Sequence, residues 1–578
     1  MKWIVHTTTP ASVAKRFHGY SPTVQQLLYN RGFSSHEDAQ QFFYFDYSTQ
    51  VHDPFLLKHM RDAVDRVAKA QADKEAVAIY GDYDVDGVCG AVMLSQALHK
   101  IGFDPLVYLP DREKEGYGLN ARAIDYLASK SVTLLIAVDC GTSNAQEIAH
   151  ASRKGIDVII LDHHVPPQTL PSAKALINAK QKNETYPYKE LCGTGVAFKF
   201  VDALSREPSL AETLTPSDVK WFLDLVALAT IADRVEMLGE NRVLVKYGLW
   251  TLARRKRIGL RELFRVAGLR PHASATDPMH VHGLSTYEVG FVLAPRINAA
   301  GRMDHANTAF ELLNTNDESD AMLVADQLNT QNTKRQQRVK NALHDFLESD
   351  SVDREQDFLV HGVHARWPKG LLGLIASGMV QAYARPAFAC QLKKGVIACS
   401  ARSIPAVNII QLISKHNEHL VNYGGHSQAA GFTISARHFD SFCKAINKEI
   451  RVMVSLDQLQ NELHVDTELA PSDITMSLYN DCMTFAPFGD GNPEPVFMTR
   501  GTKVVWHRLI GAEQQHQKVR LQLADGSTYG AIMFNFRSKQ NGNGLQTGDS
   551  IDIAYTLNQS NWSGWPELEF KIVDYTVI

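Results

Sequence analysis

This sequence of 578 residues has few cysteines, a small net charge and no long apolar runs. The seven cysteines are scattered and none forms a CxxC pair, so the sequence indicates neither a zinc ribbon nor a disulfide framework and favours a reducing cytoplasm. No apolar run approaches the roughly 20 residues that cross a bilayer, so we expect no membrane association. The beginning of the chain, MKWIVHTTTPASVAKRF, lacks the apolar core of a signal peptide. Because the net charge is −4, any binding of nucleic acid must come from local basic patches.

The composition is that of an ordinary globular protein, with 44% hydrophobic and 21% charged residues, and the length favours about three or four domains. A pattern of short apolar segments separated by helical runs begins at Ala76. The segments are 76–80, 105–110, 132–139, 157–162 and 175–179. Near-continuous apolar strands alternating with helices predict an α/β fold with a parallel sheet covered on both faces.

The stretch GDYDVDG, residues 81–87, places Asp82, Asp84 and Asp86 on alternate residues directly after the first strand. A helical run follows from Gly87, so the acids lie at the carboxyl end of a strand, where open α/β sheets place their ligands. Carboxylates gathered there about 5 Å apart would repel by roughly 3 kcal/mol per pair at an effective dielectric of about 20. Such a cluster needs a cation or protons, although a single DxD stretch is more often a solvated turn.

Two further strands and one helix end in similar chemistry. The strand 132–139 ends at Asp139, and the strand 157–162 runs into Asp162, His163 and His164. The helical run 218–235 contains Asp233 near its end. Oxygen ligands with one or two imidazoles and no thiolate suit Mn²⁺ or Mg²⁺, whereas zinc more often recruits cysteine. Two such ions bridged by one carboxylate would form a clamp for phosphoester hydrolysis.

The four segments GDYDVDG, AVDCGTSN, LDHHVPP and ATIADRV resemble, in this order, the metal-binding motifs of the DHH phosphoesterase superfamily. Within it, residues 75–575 are similar to the RecJ family of single-strand-specific exonucleases. The resemblance implies two Mn²⁺ or Mg²⁺ ions bridged by Asp139, with the metal ligands Asp82, Asp84, Asp86, Asp139, His163 and Asp233. It also implies catalytic roles for the residues Asp84, Asp86, Asp139, His163, His164 and Asp233. Inorganic pyrophosphatases of the superfamily have a metal-binding histidine where this chain has Tyr80, so one metal would lack a ligand and bind more weakly.

The resemblance also indicates residues that would bind substrate phosphate. Arg112 lies in the loop 110–119, which could equally be a solvated charged loop. The segment RINAAGRMDHA provides Asn298, Arg302 and His305. Two further signatures, SARS and GGH, provide Ser400, Arg402, Gly425 and His426, and we expect Arg402 on a turn after the strand GVIACS.

The patterns divide the chain into five segments. Residues 1–70 are mostly helical, 71–316 form the DHH domain, and 317–350 form a connecting helix. Residues 351–455 resemble the second, smaller α/β domain that accompanies DHH domains. Residues 456–578 are all-β, and five strands with Gly-, Asp- and Asn-rich turns predict a barrel of the OB type.

Two groups of side chains remain open to more than one interpretation. Residues 250–270 form the densest basic patch, which could bind phosphate or simply be an exposed helical face. The aromatics of the barrel could stack on bases, although core packing would account for at least half of them. These aromatics are Trp506, Phe534, Phe536, Trp562 and Trp565.

The resemblance implies 5′-to-3′ hydrolysis of single-stranded DNA to mononucleotides in repair and recombination. Single-stranded DNA would be the partner, a single-strand-binding protein and a helicase are candidate partners, and we expect a monomer. Three alternatives stay open: a DHH phosphodiesterase for short oligonucleotides or cyclic dinucleotides, a non-catalytic relative that only binds single strands, and an inorganic pyrophosphatase. The barrel and the intact set of metal acids argue against all three.

Overall fold

The computed structural model describes residues 1–349, 352–536, 544–560 and 565–578, which form two compact units. One unit is Asp46–Leu459, and the other combines Met1–Phe45 with Gln460–Ile578. The segment 1–70 is therefore divided between the units. None of the helices in the described ranges combines the length and apolarity that a bilayer crossing requires.

A parallel sheet of five strands organises the first part of the unit Asp46–Leu459. In spatial order the strands are Leu106–Tyr108, Val77–Gly81, Leu134–Val138, Asp157–Leu161 and Ala175–Ile177. Alternate residues face opposite sides, so that Ile79 and Tyr80 belong to different cores. The helices Met60–Ala72, Val85–Lys100 and Gly193–Leu204 cover one face, and Ala121–Ser129 and Ala145–Arg153 cover the other. The predicted parallel sheet covered on both faces is confirmed.

A mostly helical stretch follows this sheet. Its helices are Pro216–Trp221, Leu223–Ala232, Gly239–Ala253, Ile258–Val266, Ala294–Met303 and Asn307–Asn314. The run predicted as one helix over 218–235 breaks at Phe222, and Asp233 caps the second piece. A π-helix, Glu288–Leu293, continues directly into Ala294–Met303. The long helix Glu318–Glu348 then leads to the second α/β sheet.

The second sheet has five strands in the order Leu420–Gly425, Ala429–Ser435, Val396–Arg402, Ala387–Lys393 and Val360–Val363. The helices Leu372–Tyr383, Ile409–Lys415 and Ala436–Met453 accompany it. Cys390 and Cys399 lie opposite each other on neighbouring antiparallel strands and form a disulfide. Inspection of the sequence for CxxC pairs did not predict this bond, because the two cysteines are nine residues apart and meet only through the register of the two strands.

The remaining unit is built around the predicted barrel. Five long strands, Phe497–Ile510, His516–Gln522, Thr528–Met533, Ser550–Ser560 and Glu567–Val577, close because the first also pairs with the fourth. This confirms the OB-type fold. The strand Lys2–Val5 pairs in parallel with Glu462–Val465, and the helices Pro22–Asn30, His36–Phe43 and Met476–Met483 complete the unit.

Candidate active site

The three acids of GDYDVDG lie where the strand Val77–Gly81 meets the helix Val85–Lys100. The helix begins earlier than the sequence pattern predicted because Asp84 is its N-cap. Its Oδ1 accepts hydrogen bonds from the backbone N–H groups of Asp86 (3.0 Å) and Gly87 (3.3 Å). Gly87 makes the turn possible, since a Cβ there would lie 2.4 Å from the Asp82 nitrogen.

A second helix start fixes the carboxylate of Asp86. Its two oxygens accept hydrogen bonds from the backbone N–H groups of Gly193 and Thr194, both at 2.7 Å, at the beginning of the helix Gly193–Leu204. Helix N-termini favour negative charge, and these two contacts fix the position of the Asp86 carboxylate. Sequence reasoning missed this contribution, although the glycine-rich stretch CGTG at 192–195 was a visible signal.

Asp139 joins the strand edge to the histidines. It follows Leu134–Val138 with a φ of 61°, a left-handed conformation that costs on the order of 1–3 kcal/mol in a residue other than glycine and clusters at functional sites. Its Oδ1 lies 3.1 Å from Nε2 of His163. The same nitrogen lies 3.6 Å from the Asp233 Oδ2 and 3.8 Å from the Asp86 Oδ2.

The potential ligand atoms form three overlapping groups, each with its atoms within 4.8 Å of one another. The groups are Asp82, Asp84 and Asp139; Asp86, His163 and Asp233; and Asp139, Asp162, His163 and His164. All six residues predicted as metal ligands are therefore brought together. Asp139 and His163 each belong to two groups, and the bridging role of Asp139 and the roles of the other ligands stay predictions.

Electrostatics and unpaired atoms both fit a divalent cation at this place. Burial, followed by repulsion from the neighbouring acids, raises the pKa of Asp82, Asp84 and Asp139 above the usual range and that of Asp233 to about 9. Oδ1 of Asp82 and Nδ1 of His163 are buried without a hydrogen-bond partner in the described part of the chain. A divalent cation would remove the repulsion between the carboxylates, and it could bind buried oxygen and nitrogen atoms that have no other partner. The residues present therefore fit Mn²⁺ or Mg²⁺.

Asp162 has a positioning role that the sequence did not assign. Its Oδ1 accepts hydrogen bonds from the backbone N–H of His163 (2.7 Å) and from Nδ1 of His164 (2.7 Å), and its Oδ2 accepts one from the Thr142 N–H (3.0 Å). Burial alone would raise the pKa of Asp162, but the hydrogen bonds and charges of the histidines outweigh it, and the pKa lies below the usual range. Asn178 supports the same loop by donating to the His164 carbonyl at 2.9 Å.

Asp162→Ala should lower the free energy of unfolding of the metal-free protein by about 2–4 kcal/mol. The substitution leaves buried N–H groups without an acceptor, and each unsatisfied group costs about 1–3 kcal/mol. Since the folded-state pKa of Asp162 is depressed, its stabilisation is present above the unfolded pKa of about 4 and is lost in more acidic solution. Urea unfolding of both proteins at neutral pH measures the difference. Asp162→Asn, which keeps one acceptor oxygen, should lose less; an alanine variant as stable as wild type would contradict the positioning role.

Tyr80 contributes no donor to the metal groups. It lies on the opposite face of the sheet, stacked on Tyr108, and its hydroxyl donates to the Gly118 carbonyl at 2.8 Å. That one metal site is consequently weaker stays a prediction.

Four of the predicted substrate-binding residues surround one small region. Arg402 ends the strand Val396–Arg402 rather than lying on a turn, because the strand pairs with Ala429 up to its last residue. Its Nη1 donates to the Ser400 Oγ (3.1 Å) and to the Ala401 carbonyl (2.8 Å). Burial lowers the pKa of Arg402, and repulsion from the nearby Arg112 lowers it further. The pKa of Arg302 is lowered to about 9. Burial is the largest cause, and repulsion from Arg112 and from other arginines, including Arg402, adds to it. Mutually repelling cations close to one another indicate an anionic ligand.

The other predicted substrate residues differ in their placement. Asn298 fastens its helix to the acidic motif, since its Oδ1 accepts from the Val85 N–H at 3.2 Å. His305 makes a local hydrogen bond, in which its Nδ1 accepts from the Asn307 N–H. Gly425 is the exposed last residue of the strand Leu420–Gly425, and His426 is exposed in the turn that follows it. Their roles in substrate binding stay predictions.

Three of the seven basic residues in the patch at 250–270 are paired with acids. Arg257 pairs with Asp224, and Arg261 and Arg265 pair with acids of the helix Glu318–Glu348. Arg254 and Lys256 instead lie over the ring of Trp221. For these three arginines, the ion pairs favour the alternative of an ordinary helical face.

Three family models match separate parts of the chain: "DHH family, N-terminal domain" at residues 76–230, "DHHA1 domain" at 355–452 and "RecJ OB domain" at 465–574. The single-stranded-DNA-specific exonuclease RecJ of Bacillus subtilis is 32% identical over 98% of this chain and 69% of its own length. RecJ of Haemophilus influenzae is 32% identical over 90% of this chain and 91% of its own.

Solved structures agree with these matches. RecJ of Thermus thermophilus in complex with Mn²⁺ superimposes with a TM-score of 0.81 at 26% identity, covering 100% of this chain and 79% of that one. A structure of exonuclease RecJ bound to manganese gives a TM-score of 0.59 at 29% identity, covering 70% of this chain and 98% of that one. On the combined evidence of the acidic centre, the domain order and these relatives, the chain belongs to the RecJ family of DHH phosphoesterases.

Proposed function

We propose that the protein is a metal-dependent exonuclease that hydrolyses single-stranded DNA from the 5′ end and releases mononucleotides. The observation that carries this proposal is the joint presence of a buried acid–histidine cluster and an arginine-lined region in one compact unit. Curated relatives 32% identical are single-stranded-DNA-specific exonucleases, which supports the substrate class.

The chain's own residues supply binding, orientation and proton transfer. The six ligand residues of the acidic cluster would hold Mn²⁺ or Mg²⁺, which when bound lowers the pKa of a water nucleophile and neutralises charge on the phosphate. Arg112, Arg302 and Arg402 would bind and orient the substrate phosphates. The Asp162 carboxylate accepts from Nδ1 of His164, which leaves Nε2 of that ring as the nitrogen able to exchange a proton.

An assay with Mn²⁺ and end-labelled DNA separates this function from its alternatives. The protein should degrade single strands from the 5′ end, leave a blunt duplex intact, and lose activity in excess EDTA. Cleavage restricted to very short oligonucleotides or cyclic dinucleotides would favour the phosphodiesterase alternative. Binding without cleavage, or hydrolysis of pyrophosphate alone, would indicate the other two.

The barrel presents a surface suited to the single strand. Trp506 pairs across the strands with Arg520, and Arg508 with Lys518, and both Trp506 and Arg520 are exposed. Phe534 and Trp565 are also exposed, Phe536 is buried, and Trp562 lies outside the described residues. Base stacking together with phosphate contacts is the usual means by which OB folds bind single strands.

Trp506→Ala and Arg520→Ala should each weaken binding of a long single strand about fivefold or more, since a stacked base contributes about 1–3 kcal/mol. Fluorescence anisotropy in the presence of Ca²⁺ measures the dissociation constant. Arg500→Ala is a matched control, because Arg500 lies exposed on the same strand but is paired with Glu468 and Asp552. Equal weakening by the control would contradict a specific binding face.

We further infer a role in repair and recombination, location in the cytoplasm, a monomeric state, and cooperation with a single-strand-binding protein and a helicase. The family resemblance supports these points, since an exonuclease for single strands needs strands that a helicase has separated.

A further inference from the structure

Tyr80 is a fully buried tyrosine that provides nothing to the ligand groups of the acidic centre. It is the next-to-last residue of the strand Val77–Gly81, and its side chain belongs to the core formed with the helices Ala121–Ser129 and Ala145–Arg153. A buried tyrosine usually has a hydrogen-bond partner for its hydroxyl group. The partners of this hydroxyl therefore indicate what the residue does.

The hydroxyl of Tyr80 is bonded to the end of the loop 110–119 and to the residue that follows it. It donates to the Gly118 carbonyl at 2.8 Å and accepts from Nδ2 of Asn120 at 3.3 Å. Asn120 is the N-cap of the next helix, because its Oδ1 accepts from the Ala123 N–H. One hydroxyl group thus joins the strand of Tyr80 to both the loop and the helix after it.

A second tyrosine, Tyr108, fastens the middle of the same loop. Its ring stacks on that of Tyr80, with centroids 5.4 Å apart and an angle of 18° between planes. Its hydroxyl donates to Oε1 of Glu115 at 2.6 Å, and this oxygen also accepts from Nδ2 of Asn120 at 3.2 Å. The other oxygen of Glu115 accepts from the Asp111 N–H at 2.7 Å, which ties the beginning of the loop to its middle. Tyr80, Tyr108, Glu115 and Asn120 together form what we call the loop network.

Two side chains of the loop 110–119 contact the acidic centre. The Arg112 guanidinium lies over the ring of Tyr83 in GDYDVDG, with its Cζ 4.6 Å from the ring centroid. The hydroxyl of Tyr117 donates to the Asp139 carbonyl at 3.2 Å. The backbone of the loop therefore brings both side chains to the centre, and the loop network fastens that backbone to the sheet.

The hydroxyl groups of the two tyrosines serve the loop rather than the packing of their rings. A phenylalanine would supply the same ring, whereas the hydroxyl groups donate to Gly118 and Glu115 of the loop. Loops open locally at a small cost in free energy unless packing and hydrogen bonds hold them. An arginine on a loop binds its ligand precisely only when the loop is already held in the bound conformation.

We propose that Tyr80 and Tyr108 are positioning residues. Through the loop network they hold the loop 110–119 in the conformation in which Arg112 meets the terminal 5′ phosphate of the single strand. This rests on the proposed function, which assigns Arg112 to substrate phosphate. The two tyrosines themselves touch neither the strand nor the metal ligands, and they act only through the loop.

Limited trypsin digestion of the full-length protein, with Mn²⁺ and without DNA, measures the loop directly. Arg112 and Lys114 are the trypsin sites within the loop. Tyr80→Phe and Tyr108→Phe each remove a hydroxyl group and keep the ring. Each should speed cleavage after these two sites about threefold to tenfold, as expected when a locally opening segment loses a hydrogen bond, and should leave cleavage elsewhere unchanged. Tyr126→Phe is the matched control, because the Tyr126 ring lies 6.0 Å from that of Tyr108 but is 44% exposed and outside the loop network.

The preference for a 5′-phosphorylated over a 5′-hydroxyl single strand measures the consequence for recognition. In both variants the ratio of kcat/KM for the two strands should fall about threefold or more, mainly through a higher KM for the phosphorylated strand. The rate on the hydroxyl strand should stay nearly unchanged, which a general loss of structure would not produce.

Trypsin cleavage as slow as in wild type, or a preference that is unchanged in both variants, would overturn the positioning role. A wild type without any preference would overturn the assignment of Arg112 to the terminal phosphate, and the proposal with it. Failure of wild type to degrade either strand would instead refute the proposed exonuclease function. In that case the trypsin comparison, which needs no DNA, would still show whether the loop network holds the loop.

Discussion

Asp139→Ala should reduce DNA cleavage by at least about a thousandfold while the protein still folds. Asp139 is the carboxylate that belongs to two of the ligand groups, so its loss would affect both ions. Metal ions contribute several kcal/mol to stabilising the transition state of phosphoester hydrolysis, and about 4 kcal/mol corresponds to a thousandfold in rate. Single-turnover rates on a 5′-phosphorylated single strand with saturating Mn²⁺ provide the measurement.

The stability of the metal-free variant should change in the opposite direction from its activity. Burial and then repulsion from Asp86, Asp84 and other acids raise the pKa of Asp139. A carboxyl group whose pKa is raised in the folded state lowers the stability of the fold at high pH. The reason is that the group ionises more readily in the unfolded chain than in the folded protein. Removing it should leave the apo-protein as stable as wild type or more stable, with the largest gain above about pH 6 and little gain near pH 4.

Thermal unfolding in EDTA across this pH range tests the second part, and Asp139→Asn serves as a variant that keeps the volume of the side chain. The comparison with Asp162→Ala is informative, because two neighbouring buried acids are expected to affect stability with opposite signs. Asp162 accepts three close hydrogen bonds, whereas Asp139 is surrounded by other acids. Near-normal turnover of Asp139→Ala would contradict the two-metal centre.

The acidic centre was predictable from sequence because each of its parts ends a strong local pattern. The strands before Asp82, Asp139 and Asp162 are uninterrupted apolar runs, and a parallel sheet necessarily brings their carboxyl ends to one edge. The barrel was predictable for a similar reason, since Gly-, Asp- and Asn-rich turns delimit its strands. In these cases the local pattern and the tertiary fold agree.

Contacts between distant segments were not predictable in this way. The strand Lys2–Val5 is short and half exposed, and its partner Glu462–Val465 lies near the other end of the chain. The N–H groups that hold Asp86 come from Gly193 and Thr194, which form a helix start with no acid or histidine to attract attention. Similarly, apolar periodicity does not reveal the π-helical turn Glu288–Leu293.

Arg402→Ala should abolish a wild-type preference for 5′-phosphorylated over 5′-hydroxyl single strands. A terminal phosphate distinguishes a 5′ end from an internal position, and an arginine fork is suited to bind it through two hydrogen bonds. In the structure, Arg402 lies beside the Ser400 hydroxyl, and a Cβ on Gly373 would come within 2.6 Å of its Nη2. Within the described residues no carboxylate pairs with Arg402, so its charge is not already neutralised across the domain contact.

Charge-assisted hydrogen bonds contribute about 1.5–3 kcal/mol, so kcat/KM on the phosphorylated strand should fall about 10- to 150-fold in Arg402→Ala and change much less on the hydroxyl strand. Arg402→Lys keeps the charge but loses the fork, and should recover only part of the preference. Arg366→Ala, an exposed arginine of the same domain, is the control for a general loss of positive charge. Equal wild-type rates on the two strands, or a preference that survives in Arg402→Ala, would show that the 5′ end is recognised elsewhere. A preference that only Arg402→Ala removes would place the terminal phosphate at Arg402, with the metal-binding acids positioned at the first phosphodiester bond beside it.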